Sequence, residues 1–353
     1  MINSKSKYFL AANSGEGFVS YFEDFCKKAD GFHIFIIKGG PGTGKSSFMK
    51  KMAKKASKIG IDSIFCPCSS DPDSLDGVIF PERKIAFFDG TAPHIIEPQL
   101  VGVKEEILNL GQFWQRERLN ENKNKIEKLT KENKFLHTLA SNYIKSASLI
   151  LKNDYLNACD LLLTEKAEKY AKYLSKKEIK KIKATYGKEE VCFLNGITPK
   201  GIISYGDTIL KISKKQIILA DKFGAFSNVV LELLRKSALL CGLNIITVRN
   251  PFLPSVLLDA VIIPALDLSI VREYDFLSLA SSSRRIHAER FYKASPSISQ
   301  NLYPQILETA VDTLKKAKSV HDELEKEYIN AMDFFSLENF AEKFSTTLFG
   351  DIV

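Results

Sequence analysis

A glycine-rich segment near the N-terminus, "KGGPGTGKSS" at residues 38–47, carries residue types that bind phosphate. It contains the pattern G-x-x-x-x-G-K-S, in which backbone amides cradle the phosphates, Lys45 reaches the β and γ phosphates, and Ser46 binds magnesium. The sequence therefore predicts a site for ATP and Mg²⁺. The residues predicted to contact the nucleotide are Gly39, Gly40, Pro41, Gly42, Thr43, Gly44, Lys45, Ser46 and Ser47.

A second group of polar residues follows later apolar runs. Asp89 ends the run "IAFFD", the arrangement that places a carboxylate on the nucleotide-bound magnesium, so Ser46 and Asp89 are the predicted metal ligands. The next residue is Gly90, where many hydrolytic enzymes have a water-activating glutamate. Lys45, Asp89, Asp71, Asp73 and His94 are therefore the catalytic candidates. Turn formation explains Asp71 and Asp73 equally well, and for His94 the sequence slightly favours an exposed loop position.

Strand, turn and helix must position the glycine loop. The apolar run at residues 34–37 predicts a buried strand before it, and Met49, Met52, Ala53 and Ala56 predict a helix after it. Further strands are predicted near Phe9, Ile64 and Phe87. These elements indicate an α/β core with a mostly parallel sheet.

Two blocks of the first half of the sequence recur in the second half. Phe9 and Phe193 are 184 positions apart, as are Tyr21 and Tyr205, and "LDGVIFP" at residues 75–81 is echoed by "LDAVIIP" at residues 258–264. We therefore predict a tandem duplication, with the second copy's strands near Phe193, Ile218, Ile246 and Ile270 and the two cores related by a pseudo-twofold axis.

The second copy has lost the phosphate-binding chemistry. At an offset of 182 positions, Asp221 replaces Gly39, Phe226 replaces Gly44, Ser227 replaces Lys45 and Asn228 replaces Ser46. At an offset of 183 positions, Arg272 replaces Asp89. We predict that this copy does not bind nucleotide, that Phe226 obstructs its loop, and that an arginine from it assists the first copy. The candidates are Arg249, Arg272, Arg284 and Arg285.

The segments "KGGPGTGKSS", "DPDSLDGVIFP" and "FDGTAPH" resemble those of a largely uncharacterised bacterial family of P-loop ATPase-like proteins with two tandem similar halves. The resemblance covers nearly the whole chain and implies two P-loop NTPase-like cores. Relatives can keep a second glycine loop, from which "DKFGAFSN" at residues 221–228 departs.

A proline-free, charged stretch predicts helices between the two cores, and a similar stretch in the tail predicts helices after the second core. The predicted organisation is a P-loop core at 1–100, a helical insertion at 101–185 appended to it, a degenerate core at 186–275 and a C-terminal helical region at 276–353. Such helical arms suit a lid, a homo-oligomer or protein-partner surface, or packing between the halves.

Composition indicates a globular chain that operates in the cytoplasm. Of 353 residues, 45% are hydrophobic and 26% are charged, and no run is apolar and long enough to span a membrane. The six cysteines are scattered, and for Cys66 and Cys68 the spacing favours a buried structural role over metal binding. The net charge of +8 gives weak support to a nucleic-acid partner, since the lysines are interleaved with glutamates.

Three functions remain open from the sequence. The first is an ATPase with one active site in the N-terminal half. The second is a kinase for a nucleotide or other small molecule, and the third is a regulatory protein that binds ATP without turnover.

Overall fold

The computed structural model describes residues 6–180, 185–279, 284–296 and 302–350, and these form a mixed α/β structure, which confirms the predicted class. The elements of the first half are β1 (Ala11–Ser14), β2 (Gly17–Ser20), α1 (Phe22–Lys28), β3 (His33–Lys38), α2 (Lys45–Lys58), β4 (Ile64–Pro67), β5 (Leu75–Phe80), β6 (Ile85–Asp89), β7 (Glu105–Asn109), α3 (Arg116–Glu121), α4 (Lys123–Leu161) and α5 (Thr164–Glu178). Those of the second half are β8 (Glu189–Cys192), β9 (Asn195–Thr198), β10 (Gly201–Ser204), α6 (Asp207–Ile212), β11 (Lys215–Ala220), α7 (Ala225–Leu240), β12 (Ile245–Arg249), β13 (Leu258–Ile263), β14 (Leu268–Glu273), β15 (Arg284–His287), α8 (Tyr303–Ile329) and α9 (Phe334–Phe349).

The two large sheets repeat one strand order. The first is β4-β5-β6-β3-β7, and the second is β12-β13-β14-β11-β15 with β8 added beside β12. Each half also begins with a hairpin, β1–β2 in the first and β9–β10 in the second. The duplication read from the sequence therefore corresponds to a repeated topology.

The prediction of mostly parallel sheets is wrong for the first sheet, where two of the four described strand pairings are antiparallel, whereas three of the five described pairings in the second sheet are parallel. β3 runs parallel to β6 and β7, but β5 runs antiparallel to β4 and β6. Only residues 68–74 connect β4 to β5, and only residues 81–84 connect β5 to β6. Parallel neighbours need a crossover of a dozen residues or more, so these short connections force the chain to turn back.

Phe9 lies outside the large sheets, contrary to prediction. Its backbone N–H donates to the Phe193 carbonyl at 2.8 Å, and the Phe193 N–H donates to the Phe9 carbonyl at 2.8 Å. The rings of Phe9 and Tyr205 lie 5.0 Å apart, as do those of Tyr21 and Phe193. Such reciprocal contacts between repeat-related residues are what a twofold relation between the halves requires.

Each sheet buries both of its faces. Along β3, Ile34 and Ile36 join a hydrophobic core shared with the second half, while Phe35 and Ile37 face α2 and α9. In β11, Ile218 belongs to the shared core, and Leu219 faces α5 and α7. The period of two along a strand produces this alternation.

The helical arms are exchanged between the halves, so the prediction that residues 101–185 are appended to the first core is wrong. α5 packs on α7 of the second half, and α9 packs on α2 of the first. α4 has 39 residues and is about 58 Å long at 1.5 Å per residue, enough to cross from one core to the other. It packs along α8, so the arms contact each other within the chain.

Two predicted boundaries also shift. β7, at residues 105–109, pairs with β3 and so extends the first sheet beyond residue 100. β15, at residues 284–287, pairs with β11 and likewise extends the second sheet beyond residue 275. Among the described residues, no helix is both long enough and apolar enough to cross a membrane.

Candidate nucleotide site

The glycine loop joins β3 to α2 as predicted. Gly42 and Gly44 have φ values of +66° and +81°, which side chains with a Cβ rarely adopt, and the Thr43 hydroxyl donates to the Gly40 carbonyl at 2.9 Å. These features hold residues 39–44 in a tight turn, and Gly44 lies directly before the first residue of α2.

Lys45 and Asp89 lie close together at this end of the sheet. Lys45 Nζ donates to the carbonyls of Gly39 and Gly40 at 3.0 and 2.8 Å and lies 3.6 Å from Asp89 Oδ2. Ser46 is the second residue of α2, and its Oγ accepts a hydrogen bond from the Leu75 amide at 2.9 Å. The structure thus places the predicted cation beside the predicted carboxylate, and the predicted hydroxyl follows the cation in the first turn of α2.

Asp89 is a largely buried carboxylate in a polar environment. It accepts hydrogen bonds from the amide of Thr91 at 2.9 Å and from its hydroxyl. Burial raises the pKa of Asp89, and the nearby Lys45 ammonium opposes this rise. A cation at its oxygens would favour the ionised form, and the hydroxyl and carboxylate oxygens of Ser46 and Asp89 are hard ligands suited to Mg²⁺.

The other predicted catalytic residues, Asp71, Asp73 and His94, each contact a different partner. Asp71 accepts a hydrogen bond from the Ser74 hydroxyl at 2.8 Å and so stabilises the turn before β5. Asp73 is mostly exposed and pairs with Lys200 of the second half at 2.6 Å. His94 is only 6% exposed and lies 3.1 Å from Asp76, so the favoured interpretation of an exposed loop histidine is wrong.

Helix α8 contacts the glycine loop, and the sequence did not predict this contact. Glu325 Oε1 accepts a hydrogen bond from the Gly42 amide at 3.3 Å. His321 lies 3.5 Å from Glu325, and Lys318 lies 3.6 Å from Asp71. The hydrogen bond from His321 lowers the pKa of Glu325, so this carboxyl group is ionised at neutral pH.

The only sequence feature that could have identified these α8 residues is their spacing. Lys318, His321 and Glu325 follow one another at steps of three and four residues, so they share a helix face. A charged helix face is usually solvated, and nothing local indicates that this one meets a glycine loop 283 positions away.

The corresponding loop of the second half is filled by its own side chains. Gly224, with φ +89°, precedes α7 as Gly44 precedes α2, and the Asn228 side-chain oxygen accepts from the Leu258 amide as Ser46 accepts from Leu75. However, Asp221 accepts a hydrogen bond from the Ser227 amide at 2.8 Å, in the first turn of α7. A carboxylate of the protein thus takes one of the amides with which a helix N-terminus binds anions.

Arg272 also occupies the loop of the second half. It replaces Asp89 as predicted, since β14 pairs Arg272 with Leu219 as β6 pairs Asp89 with Ile37. Its guanidinium donates to the carbonyls of Asp221 and Lys222, each at 3.2 Å. Phe226 does not obstruct the loop, contrary to prediction, because its ring is buried and stacks on Phe291 with centroids 4.0 Å apart.

Of the four predicted arginines, Arg272 and Arg285 engage residues of their own half. Arg272 is 4% exposed and engages its own loop. Arg285 pairs with Glu273 at 2.8 Å, and Arg284 lies 3.5 Å from the Tyr170 hydroxyl. Arg249 lies close enough to the Tyr21 hydroxyl to lower its pKa, although burial raises that pKa to about 12. Within the described part of the chain, Lys318 and Lys200 are second-half cations that contact candidate residues of the first half, Asp71 and Asp73 respectively.

Comparison with known proteins gives no assignment: no protein-family model, curated protein or solved structure matches the chain. The functional argument therefore depends on the geometry of this site.

Proposed function

We propose that the first half binds Mg-ATP and hydrolyses it, and that the second half is a partner without its own nucleotide site. One observation carries this proposal: Lys45 lies 3.6 Å from Asp89 at the end of a glycine loop that leads directly into α2, with Ser46 in the first turn of that helix. Lys45 would contact the β and γ phosphates, and Ser46 and Asp89 would hold Mg²⁺. The ion would neutralise charge that develops on the phosphates.

The contact between α8 and the loop supports a conformational role for ATP. α8 belongs to the second half, yet Glu325 takes the Gly42 amide, which the pattern assigns to phosphate. Phosphate and the Glu325 carboxylate therefore compete for one donor. Binding of ATP would release α8 from the loop, and we propose that this release links the nucleotide to the arrangement of the two halves.

A kinase is the alternative that the geometry also supports. A Cβ placed on Gly90 would lie 2.4 Å from Ile36 Cγ2, so this position has no room for the water-activating glutamate of many ATPases. An acceptor hydroxyl in place of water would not need that glutamate. A protein that only binds ATP is the third possibility.

One experiment separates these functions. Purified protein is incubated with Mg²⁺ and ATP labelled on the γ-phosphate, with and without pooled small metabolites. An ATPase releases labelled phosphate in both mixtures, whereas a kinase transfers label to an acceptor only when metabolites are present. Binding without either product supports the regulatory role, and the absence of binding contradicts all three.

The metal role of Asp89 leads to a specific expectation. Asp89→Asn removes the carboxylate charge but keeps the shape, so Mg-dependent turnover should fall at least about tenfold while ATP binding measured without Mg²⁺ changes little. Asp73→Asn is the control, because Asp73 is exposed and pairs with Lys200. Equal losses of binding with and without Mg²⁺ would indicate that Asp89 is structural.

Competition by Glu325 predicts a gain in affinity. Glu325→Gln keeps the side-chain size but removes the charge that holds the Gly42 amide, and a hydrogen bond to a charged group contributes about 1.5 kcal/mol, so ATP should bind about tenfold more tightly. Calorimetric titration measures the change. Glu323→Gln, an equal charge change at an exposed position of the same helix, should have little effect. Weaker binding in Glu325→Gln would show that Glu325 assists the nucleotide instead of competing with it.

A further inference from the structure

Three residues with metal-binding side chains meet at the edge of the first sheet. Cys68 follows β4, Asp76 is the second residue of β5, and His94 lies after β6. One ligating atom from each lies within 4.8 Å of the other two, and His94 Nε2 is 3.1 Å from Asp76 Oδ2. Asp76 and His94 are 4% and 6% exposed, whereas Cys68 is partly accessible and offers a path of entry.

One polar atom of this cluster, His94 Nδ1, is buried without a hydrogen-bond partner, whereas Asp76 Oδ2 is buried with His94 Nε2 as its ion-pair partner. A buried polar group without a partner costs about 1–3 kcal/mol. The cluster therefore places an unpartnered imidazole nitrogen beside a buried carboxylate and a thiol.

The second half provides an internal comparison. Asp259 is the second residue of β13, as Asp76 is of β5, and it accepts hydrogen bonds from Asn250 at 3.0 Å and from the Tyr274 hydroxyl at 2.9 Å. Asn250 directly follows β12, as Cys68 directly follows β4. The repeat thus surrounds one buried aspartate with hydrogen-bond donors that include the Arg272 guanidinium, and the other with a thiol and an imidazole, both of which ligate metals.

The chemistry of the three ligands selects the metal class. Thiolate and imidazole favour Zn²⁺ and related transition metals, whereas Mg²⁺ and Ca²⁺ take sets made of oxygen atoms. Three protein ligands leave a fourth position of a tetrahedral ion for water or another ligand. The His94 ring is also held in place, because the rings of Phe18 and Phe22 contact it edge-on at 4.8 and 5.4 Å.

We propose that Cys68, Asp76 and His94 bind one Zn²⁺ ion per chain. This site is separate from the Mg²⁺ ligands proposed for the nucleotide, Ser46 and Asp89, and it does not depend on ATP binding.

The test uses the full chain, stripped of metal with a chelator and titrated with Zn²⁺ in excess Mg²⁺. We expect one equivalent of Zn²⁺ per chain. Cys68→Ser and His94→Gln should each weaken Zn²⁺ binding at least about 100-fold, since even residues behind the ligands change metal affinity by 10–100-fold. Cys241→Ser, at a partly buried cysteine in the second half, is the matched control and should retain full affinity.

A second measurement needs no variant. Co²⁺ added to the stripped wild-type chain should give the charge-transfer absorption of a thiolate ligand, and Zn²⁺ should abolish it. Failure of the wild-type chain to bind stoichiometric Zn²⁺, a Co²⁺ complex without the thiolate band, or unchanged Zn²⁺ affinity in Cys68→Ser would each overturn the proposal. Because ATP is not added, these outcomes are independent of the proposed nucleotide function.

Discussion

Lys45→Ala should lower ATP turnover about 10²- to 10³-fold. The ammonium group lies beside the glycine loop and 3.6 Å from Asp89, where it would stabilise the charge that develops on the transferred phosphate. Turnover is measured as phosphate release, with Mg-ATP binding measured in parallel. A larger loss in turnover than in binding would indicate that Lys45 acts mainly in the transition state.

The control for this variant is Lys54→Ala. Lys54 is an exposed residue of the same helix, so the substitution removes the same charge and retains helix propensity without reaching the loop. Its turnover should match that of the unmodified chain. Unchanged turnover in Lys45→Ala would refute the assignment of the glycine loop as the active site.

Arg272→Met should destabilise the fold by about 3–5 kcal/mol, the cost of removing one partner of a buried ion pair. Arg272 Nη1 lies 3.4 Å from Asp259 Oδ1, both side chains are buried, and the guanidinium lies 4.1 Å from the centre of the Tyr274 ring. Without Arg272, the Asp259 carboxylate keeps only neutral donors, among them those of Asn250 and Tyr274. The carbonyls of Asp221 and Lys222 also lose the hydrogen bonds that the guanidinium donates. Urea unfolding measures the loss.

A double variant distinguishes lost charge pairing from lost packing. Arg272→Met with Asp259→Asn removes both charges, so it should recover part of the stability lost in Arg272→Met alone. ATP turnover per folded molecule should stay near that of the unmodified chain, because Arg272 engages the loop of its own half. A loss of turnover without a loss of stability would instead support the predicted role of Arg272 in the first site.

Local patterns in the sequence were sufficient to predict the strand, loop and helix that carry the candidate site. The apolar run before the glycine loop and the helical spacing after Lys45 are encoded within a few residues, so β3, the loop and α2 lie where they were predicted. The repeat was also readable, because the echo at Phe9 and Phe193 recurs at a constant distance. Matching Asp89 with Arg272 by an offset of 183 positions, the distance between Pro81 and Pro264, agrees with the strand pairing.

Strand direction and helix partners depended on the tertiary structure. All six residues of β5 are buried, so the strand lacks the alternation of apolar and polar residues that is typical of an antiparallel strand. Its antiparallel pairing follows from the short connections on both sides. The apolar face of α5 would suit either core. It packs on α7 because α4 carries the chain across to the second half before α5 begins.

The contacts that complete the two proposed sites are the ones the sequence could not predict. Glu325 is 283 positions from Gly42, and only the crossing of α8 brings its carboxylate to the glycine loop. Cys68 was assigned a structural role because no second metal-ligand cluster lies near it in sequence, whereas the sheet places Asp76 and His94 beside it. Sequence spacing reports local backbone conformation, but a ligand set gathered from three strands exists only after those strands have paired.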